Sequence, residues 1–115
     1  MNKHQVMLDL PGWIDEVVDW TKSYTSDDEK MAVAVELSRQ NVLRGTGGPF
    51  GSAIFDIASG KLVSVGVNRV MPLHNSTAHG EMMAIMLAEH KVQSFSLSAD
   101  GVKRELFTSC EPCAM

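Results

Sequence analysis

Three short clusters in this 115-residue chain combine residue types at spacings that suit chemistry. TAHGE, at 77–81, sets His79 two positions before Glu81. SCEPC, at 109–113, carries Cys110 and Cys113, the only two cysteines. GGPFG, at 47–51, is a glycine loop closed by an aromatic residue. Imidazole nitrogen and thiolate sulfur are donors that zinc favours, and a catalytic zinc takes three protein ligands and keeps a fourth position for water. His79 and the cysteine pair meet that requirement. A cysteine near a helix N-terminus has a lowered pKa, because backbone N–H groups and the helix dipole favour the thiolate. Zinc would bring its bound water to a pKa of roughly 7. Glu81 then suits a proton shuttle from that water to a leaving amine. Residues i and i+2 diverge by about 200° on a regular helix. His79 and Glu81 therefore reach one site only if His79 lies in an irregular first turn.

Each cluster has a plainer reading when taken alone. A histidine at a helix start is often a cap or a surface residue. A lone C-x-x-C reads as a redox pair, although it does not stand early in the chain, where a thioredoxin-like fold has its strand–C-x-x-C–helix order. The glycine loop lacks the G-K-[ST] ending of a phosphate loop, which argues against a nucleoside triphosphate. Met82, Met83 and Met86 read as core filler. His4, His74 and His90 read as solvated or hydrogen-bonded, with His74 in the loop that abuts the site.

The elements that must position these clusters follow from periodicity. Residues 9–24 carry Trp13, Ile14, Val17, Val18 and Trp20 near helical spacing, with Pro11 placed to start the turn. This predicts an amphipathic helix, ending in a polar linker at 23–26. Ser26 and Glu29 match a capping box, and the acids at 27–29 suit a helix dipole. Met31, Val35, Ser38 and Val42 are the expected inward face of that second helix, and Gly45 ends it. The period then changes to two, predicting strands at 51–57 and 62–70 joined by a turn at 58–61. A loop at 71–77 leads to a helix over 78–92. After a polar connection, a short strand spans 104–108, and Pro112 suits the first turn of another helix. That order predicts an α/β sandwich with a mixed sheet, three strands being fewer than usual.

Composition bounds the rest. Hydrophobic residues make up 44% and charged residues 21%, which describes one globular domain. The net charge of −4 argues against an extended nucleic-acid partner, which calls for a basic stripe. No apolar run approaches the ~18 residues of a membrane helix. The N-terminus lacks the apolar core of a secretory signal, so the expected compartment is the cytoplasm. Two cysteines exclude a disulfide framework.

Taken together, H-x-E followed by P-C matches as much as this sequence carries of the established H-x-E…P-C-x-x-C signature of zinc deaminases, and residues 28–115 resemble the cytidine/deoxycytidylate deaminase superfamily. GGPFG, TAHGEMMAI and LFTSCEPCAM most resemble bacterial guanine deaminases and related amino-purine or amino-triazine deaminases. The tRNA adenosine deaminases come next. The resemblance implies a three-layer α/β/α cytidine-deaminase-like sandwich and a zinc cofactor. It implies hydrolytic release of ammonia from a free base, guanine first, in a cytoplasmic homodimer. His79 matches the histidine ligand, Glu81 the proton-shuttling glutamate, and Cys113 the first cysteine ligand. Asn68 matches the asparagine that bonds the base, Phe50 a residue lining the base pocket, and Ala78 a position whose backbone faces the substrate. The second cysteine ligand would fall just beyond Met115. Two ligand sets stay open, Cys113 with that following residue or Cys110 with Cys113. The first places both on one helix face, and Cys110 belongs to the strand end. Residues 1–25 then read as a helical arm, and 26–115 as the N-terminal portion of a deaminase domain whose C-terminal part is missing. A chain ending at Met115 is expected neither to hold zinc tightly nor to turn over substrate. Other readings are a tRNA adenosine or nucleoside deaminase, and an inactive fragment with structural zinc or none.

Overall fold

A computed structural model describes residues 3–110. Cys113 and the helix start expected at Pro112 lie outside the described residues. Seven elements follow in order: α1 (Ile14–Val17), α2 (Asp27–Leu43), β1 (Gly51–Asp56), β2 (Leu62–Val67), α3 (Val70–Leu73), α4 (Gly80–Val92) and β3 (Arg104–Thr108). The strands lie side by side as β2-β1-β3, with β1 antiparallel to both neighbours. The expected mixed character therefore needs strands other than these three.

The sheet is covered on both faces, which makes three layers. Ala53 and Phe55 of β1, with Val65 and Val67 of β2, pack against Leu37 of α2. Ile54 and Val63 face Ala84 and Ala88 of α4. A bulge at Ile54/Phe55 lets Val63 and Ser64 both reach the α4 side. The same face is drawn together by Ser64, whose hydroxyl donates to the Ala84 carbonyl at 2.6 Å.

Helix α2 begins as its sequence predicts. The Ser26 hydroxyl accepts from the Glu29 N–H at 3.1 Å, and three acids occupy the first turn. Its end is closed by Arg44 and Gly45, whose N–H groups bond the carbonyls of Gln40 and Val42. Its inward face, however, is not the expected one. Lys30, Ala34, Leu37 and Asn41 are buried, whereas Met31, Val35 and Val42 are exposed. The helix is rotated by about one residue, roughly 100°. Lys30 can face inward because it pairs with Glu105 of β3, and Asn41 because its amide is fully hydrogen-bonded.

The expected helix over 9–24 contracts to the single turn of α1, opened by an Ile14 N–H bond to the Pro11 carbonyl. Asp19 is one cause, since its carboxylate takes both the N–H and the hydroxyl of Thr21 and so competes with helix propagation. The stretch expected as a polar linker is packed. Ser23 bridges to Lys61, and buried Tyr24 meets the Phe55 ring edge-on at 5.2 Å. Trp13, Ile14 and Val18 join the same apolar cluster as Leu37 and Phe55. Another helical turn, α3, overlaps the expected loop and takes Val70 from the expected strand, which ends at Val67. Among the described residues, no helix is long and apolar enough to cross a membrane.

Candidate functional site

One end of the sheet gathers the sequence clusters. β1 begins there at Gly51, opposite Val67 at the end of β2, and Thr108 at the end of β3 pairs with Ser52. Helix α4 starts at the same end because β2 carries Gly66 beneath it. A Cβ on Gly66 would stand 2.0 Å from the Gly80 carbonyl oxygen and 2.5 Å from the Ala84 nitrogen. Only a residue without a side chain lets the helix lie this close.

His79 is the N-cap of α4, with φ −73° and ψ 155°. This extended backbone takes its side chain off the helical screw and meets the condition set by the two-residue spacing. His79 Nδ1 lies 3.8 Å from Glu81 Oε1. Both side chains are mostly buried, at 23% and 12% exposure. The Glu81 carboxylate also sits in the first turn, where unpaired N–H groups favour negative charge.

Asn68 follows β2 directly. Its N–H donates to the Phe50 carbonyl at 3.1 Å, and its side-chain oxygen accepts from the Val70 N–H at 3.3 Å. The Phe50 ring and the Asn68 amide flank Gly48. A Cβ there would be 3.4 Å from the ring and 3.7 Å from the amide carbon. The start of α4 closes the group, since a Cβ on Gly80 would lie 3.4 Å from the Phe50 carbonyl oxygen and 3.7 Å from the Asn68 nitrogen. Ala78 is fully buried, its N–H bonded to the Asn75 carbonyl and its carbonyl to the Arg69 N–H at 2.8 Å. His79, Glu81, Asn68, Phe50 and Ala78 are thus brought to one end of the sheet.

Cys110 is exposed just past Ser109, which fastens the end of β3 to Gly51 through two hydrogen bonds at 2.9 and 3.0 Å. Among the described residues, no three His, Cys, Asp or Glu side chains are grouped to hold a metal. Those residues offer an imidazole beside a carboxylate, which fits the nitrogen donor and the proton carrier of a zinc centre. The cysteine expected to join them, Cys113, lies outside the described residues.

Sequence reasoning missed a second set of residues beneath this end. Asn41, Thr46, Trp13 and Arg69 have no motif. Asn41 alone carried a signal, because asparagine is disfavoured inside helices unless something holds its amide.

Residues 24–115 match the family described as the cytidine and deoxycytidylate deaminase zinc-binding region. The guanine deaminase of Bacillus subtilis (strain 168) is 39% identical over 82 residues, which cover 71% of this chain and 49% of that protein. A guanine deaminase structure from Nitrosomonas europaea superposes with a TM-score of 0.88 at 37% identity, covering 98% of this chain and 62% of that one. A structure solved with 2,6-diaminopurine superposes at 0.87 and 36% identity, covering 97% and 59%. The chain thus spans about half the length of the sequence relative and about three fifths of the structural ones. With sequence, fold and the start of α4 in agreement, the chain belongs to the cytidine and deoxycytidylate deaminase zinc-binding family.

Proposed function

We propose that this chain carries the base-recognition and proton-transfer half of a hydrolytic deaminase that acts on a free amino-purine base, guanine first. The observation that carries the reading is the irregular start of α4, which sets the His79 ring 3.8 Å from the Glu81 carboxylate beside Asn68 and Phe50. Guanine as the first choice is supported by the two guanine deaminases above and by the similar structure solved with 2,6-diaminopurine. The net charge of −4 favours a small base over tRNA.

His79 and Cys113 would hold a zinc ion, one through imidazole nitrogen and the other through thiolate sulfur. The chemistry that such an ion supplies when bound is Lewis acidity, which makes a water nucleophilic near neutral pH. Glu81 takes the proton of the attacking water on a carboxylate oxygen and delivers it to the exocyclic amino nitrogen, which departs as ammonia. Asn68 uses its amide oxygen on the Val70 N–H, so a base meets the Nδ2 side, which donates to a ring acceptor. Phe50 packs against the base face. Ala78 offers the second lone pair of its carbonyl to a ring N–H. The assembly is a cytoplasmic homodimer in this reading.

The test is ammonia release by the zinc-loaded full-length protein across guanine, ammeline, cytosine, cytidine and tRNA. Guanine should be turned over fastest. Glu81→Ala should lower that rate by about 10²–10⁴-fold, the worth of a general acid–base, and leave zinc content unchanged by metal analysis. Retained turnover in that variant would remove Glu81 from the reaction.

A further inference from the structure

Beneath Phe50 and Asn68 lies a buried polar network in which every atom of one side-chain amide is used. Asn41, on the inward face of α2, has no exposed surface. Its Nδ2 donates to the Gly48 carbonyl at 2.8 Å and to the Asn68 carbonyl at 3.0 Å. Its Oδ1 accepts from the Thr46 hydroxyl at 2.7 Å. That hydroxyl in turn accepts from the Trp13 indole N–H at 2.9 Å. Two carbonyls on one side and a hydroxyl donor on the other fix the amide in a single orientation. Space is equally restricted. A Cβ on Gly47 would stand 2.0 Å from the Asn68 oxygen and 2.6 Å from Asn41 Nδ2, so the loop can run here only as glycine. Arg69 braces the same loop from the other side, donating to the Thr46 carbonyl at 3.0 Å and to Asp9.

We infer that Asn41 is a positioning residue for base recognition, and that the N-terminal segment takes part through Trp13. The two donors of Asn41 tie the 46–50 loop, which ends on Phe50, to the backbone of Asn68. They set the gap between ring and amide without touching what lies in it. The chain of hydrogen bonds through Thr46 extends this frame to Trp13. A loosened frame weakens the hold on the base more than it slows proton transfer at Glu81, which stands on a different element. The inference rests on the functional reading above, in which Phe50 and Asn68 hold the base.

Asn41→Ala takes the side-chain donor from the Gly48 and Asn68 carbonyls at once and is exposed to misfolding, so the deciding variants are milder. Thr46→Val keeps the shape and removes the hydroxyl, and Trp13→Phe keeps an aromatic ring and removes only the indole donor. In the zinc-loaded full-length protein, Thr46→Val should raise KM for guanine about five- to tenfold, the factor that follows from losing the one hydrogen bond the hydroxyl gives to the Asn41 amide. Its kcat should stay within about twofold. Trp13→Phe should move KM the same way by less. Amide hydrogen exchange at Asn68 and Phe50 should quicken in both variants, with exchange in α4 unchanged. Unaltered KM alongside a lowered melting temperature would make the network scaffold only and overturn the inference, as would unaltered exchange at Asn68. A wild-type protein that releases no ammonia from any base would instead defeat the functional reading. The exchange measurement would then still decide whether Asn41 sets the frame.

Discussion

Helices α2 and α4 cover opposite faces of one sheet, and they do so with different materials. Helix α4 lies on β2 through Gly66, Ala84 and Ala88, with Ser64 bonding one of its carbonyls. Nothing bulky separates backbone from backbone, so the helix start is held closely against the end of β2. Helix α2 presents Leu37 and Ala34 flanked by Lys30 and Asn41. Its apolar contact is narrower, and its ends are fixed by an ion pair and an amide network. One helix places chemistry at its own terminus through steric closeness. The other carries no chemistry and instead ties together the loop and strand end that face the first.

The strongest challenge to this comparison is to deny α4 its closeness. Gly66→Val would push side-chain carbon into the Gly80 oxygen and the Ala84 nitrogen. Backbone cannot yield as a flexible side chain does, so the cost should be about 4 kcal/mol or more, at the far end of core overpacking. Urea denaturation measures it. Any variant that still folds should have α4 displaced and a wider His79–Glu81 separation. A loss below about 1 kcal/mol, the ordinary cost of a mutation, would show that the helix does not rest on Gly66.

The next test concerns which side of α2 faces the sheet. Leu37→Ala should cost about 3 kcal/mol, as for a fully buried leucine. Val35→Ala, half exposed on the other side, should stay within about 0.5 kcal/mol. Equal costs at the two positions would mean that the outer row of Met31, Val35 and Val42 is also covered, for instance by a second copy of the chain.

That row marks where the sequence could and could not be read. The strands at 51 and 104, the capping box at Ser26 and the start of α4 were legible because each rests on a local rule. So was the His79–Glu81 juxtaposition, whose spacing demanded an irregular first turn. The α2 face was not legible. Two stripes competed, and the more apolar one lost because Lys30 and Asn41 find partners at Glu105, Gly48 and Asn68, far along the chain. Tertiary hydrogen bonds carry no periodic trace. The N-terminal helix failed for a local reason and a distant one, since Asp19 bonds Thr21 close by and Ser23 bridges to Lys61. Phe50 and Asn68 could be named from the family resemblance, but what holds them lay in residues with no motif at all.

The smallest effect concerns the outward charges of α2 and separates them from the inward ones. Lys22 beside Glu29, at 2.9 Å, and Arg39 beside Glu36 each hold a carboxyl well below its ordinary 4.5, at about 2. A carboxyl whose pKa is lower in the folded chain binds fewer protons there than in the unfolded chain. Its contribution is therefore complete above 4.5 and disappears as pH falls toward about 2. Both pairs face solvent, so water and salt screen most of it. Melting temperatures of the wild type and of Glu29→Gln, followed down through that window, should differ slightly at its upper edge and converge at its lower edge. Salt near 1 M, where the screening length is about 3 Å, should remove the difference. A gap that persists in acid or in salt would mean that Glu29 acts through its cap on Thr25 and Ser26 and not through its charge. The outward carboxylates would then stabilise α2 as the inward amide does, by hydrogen bonding, and the contrast between the two sides of the helix would be one of burial alone.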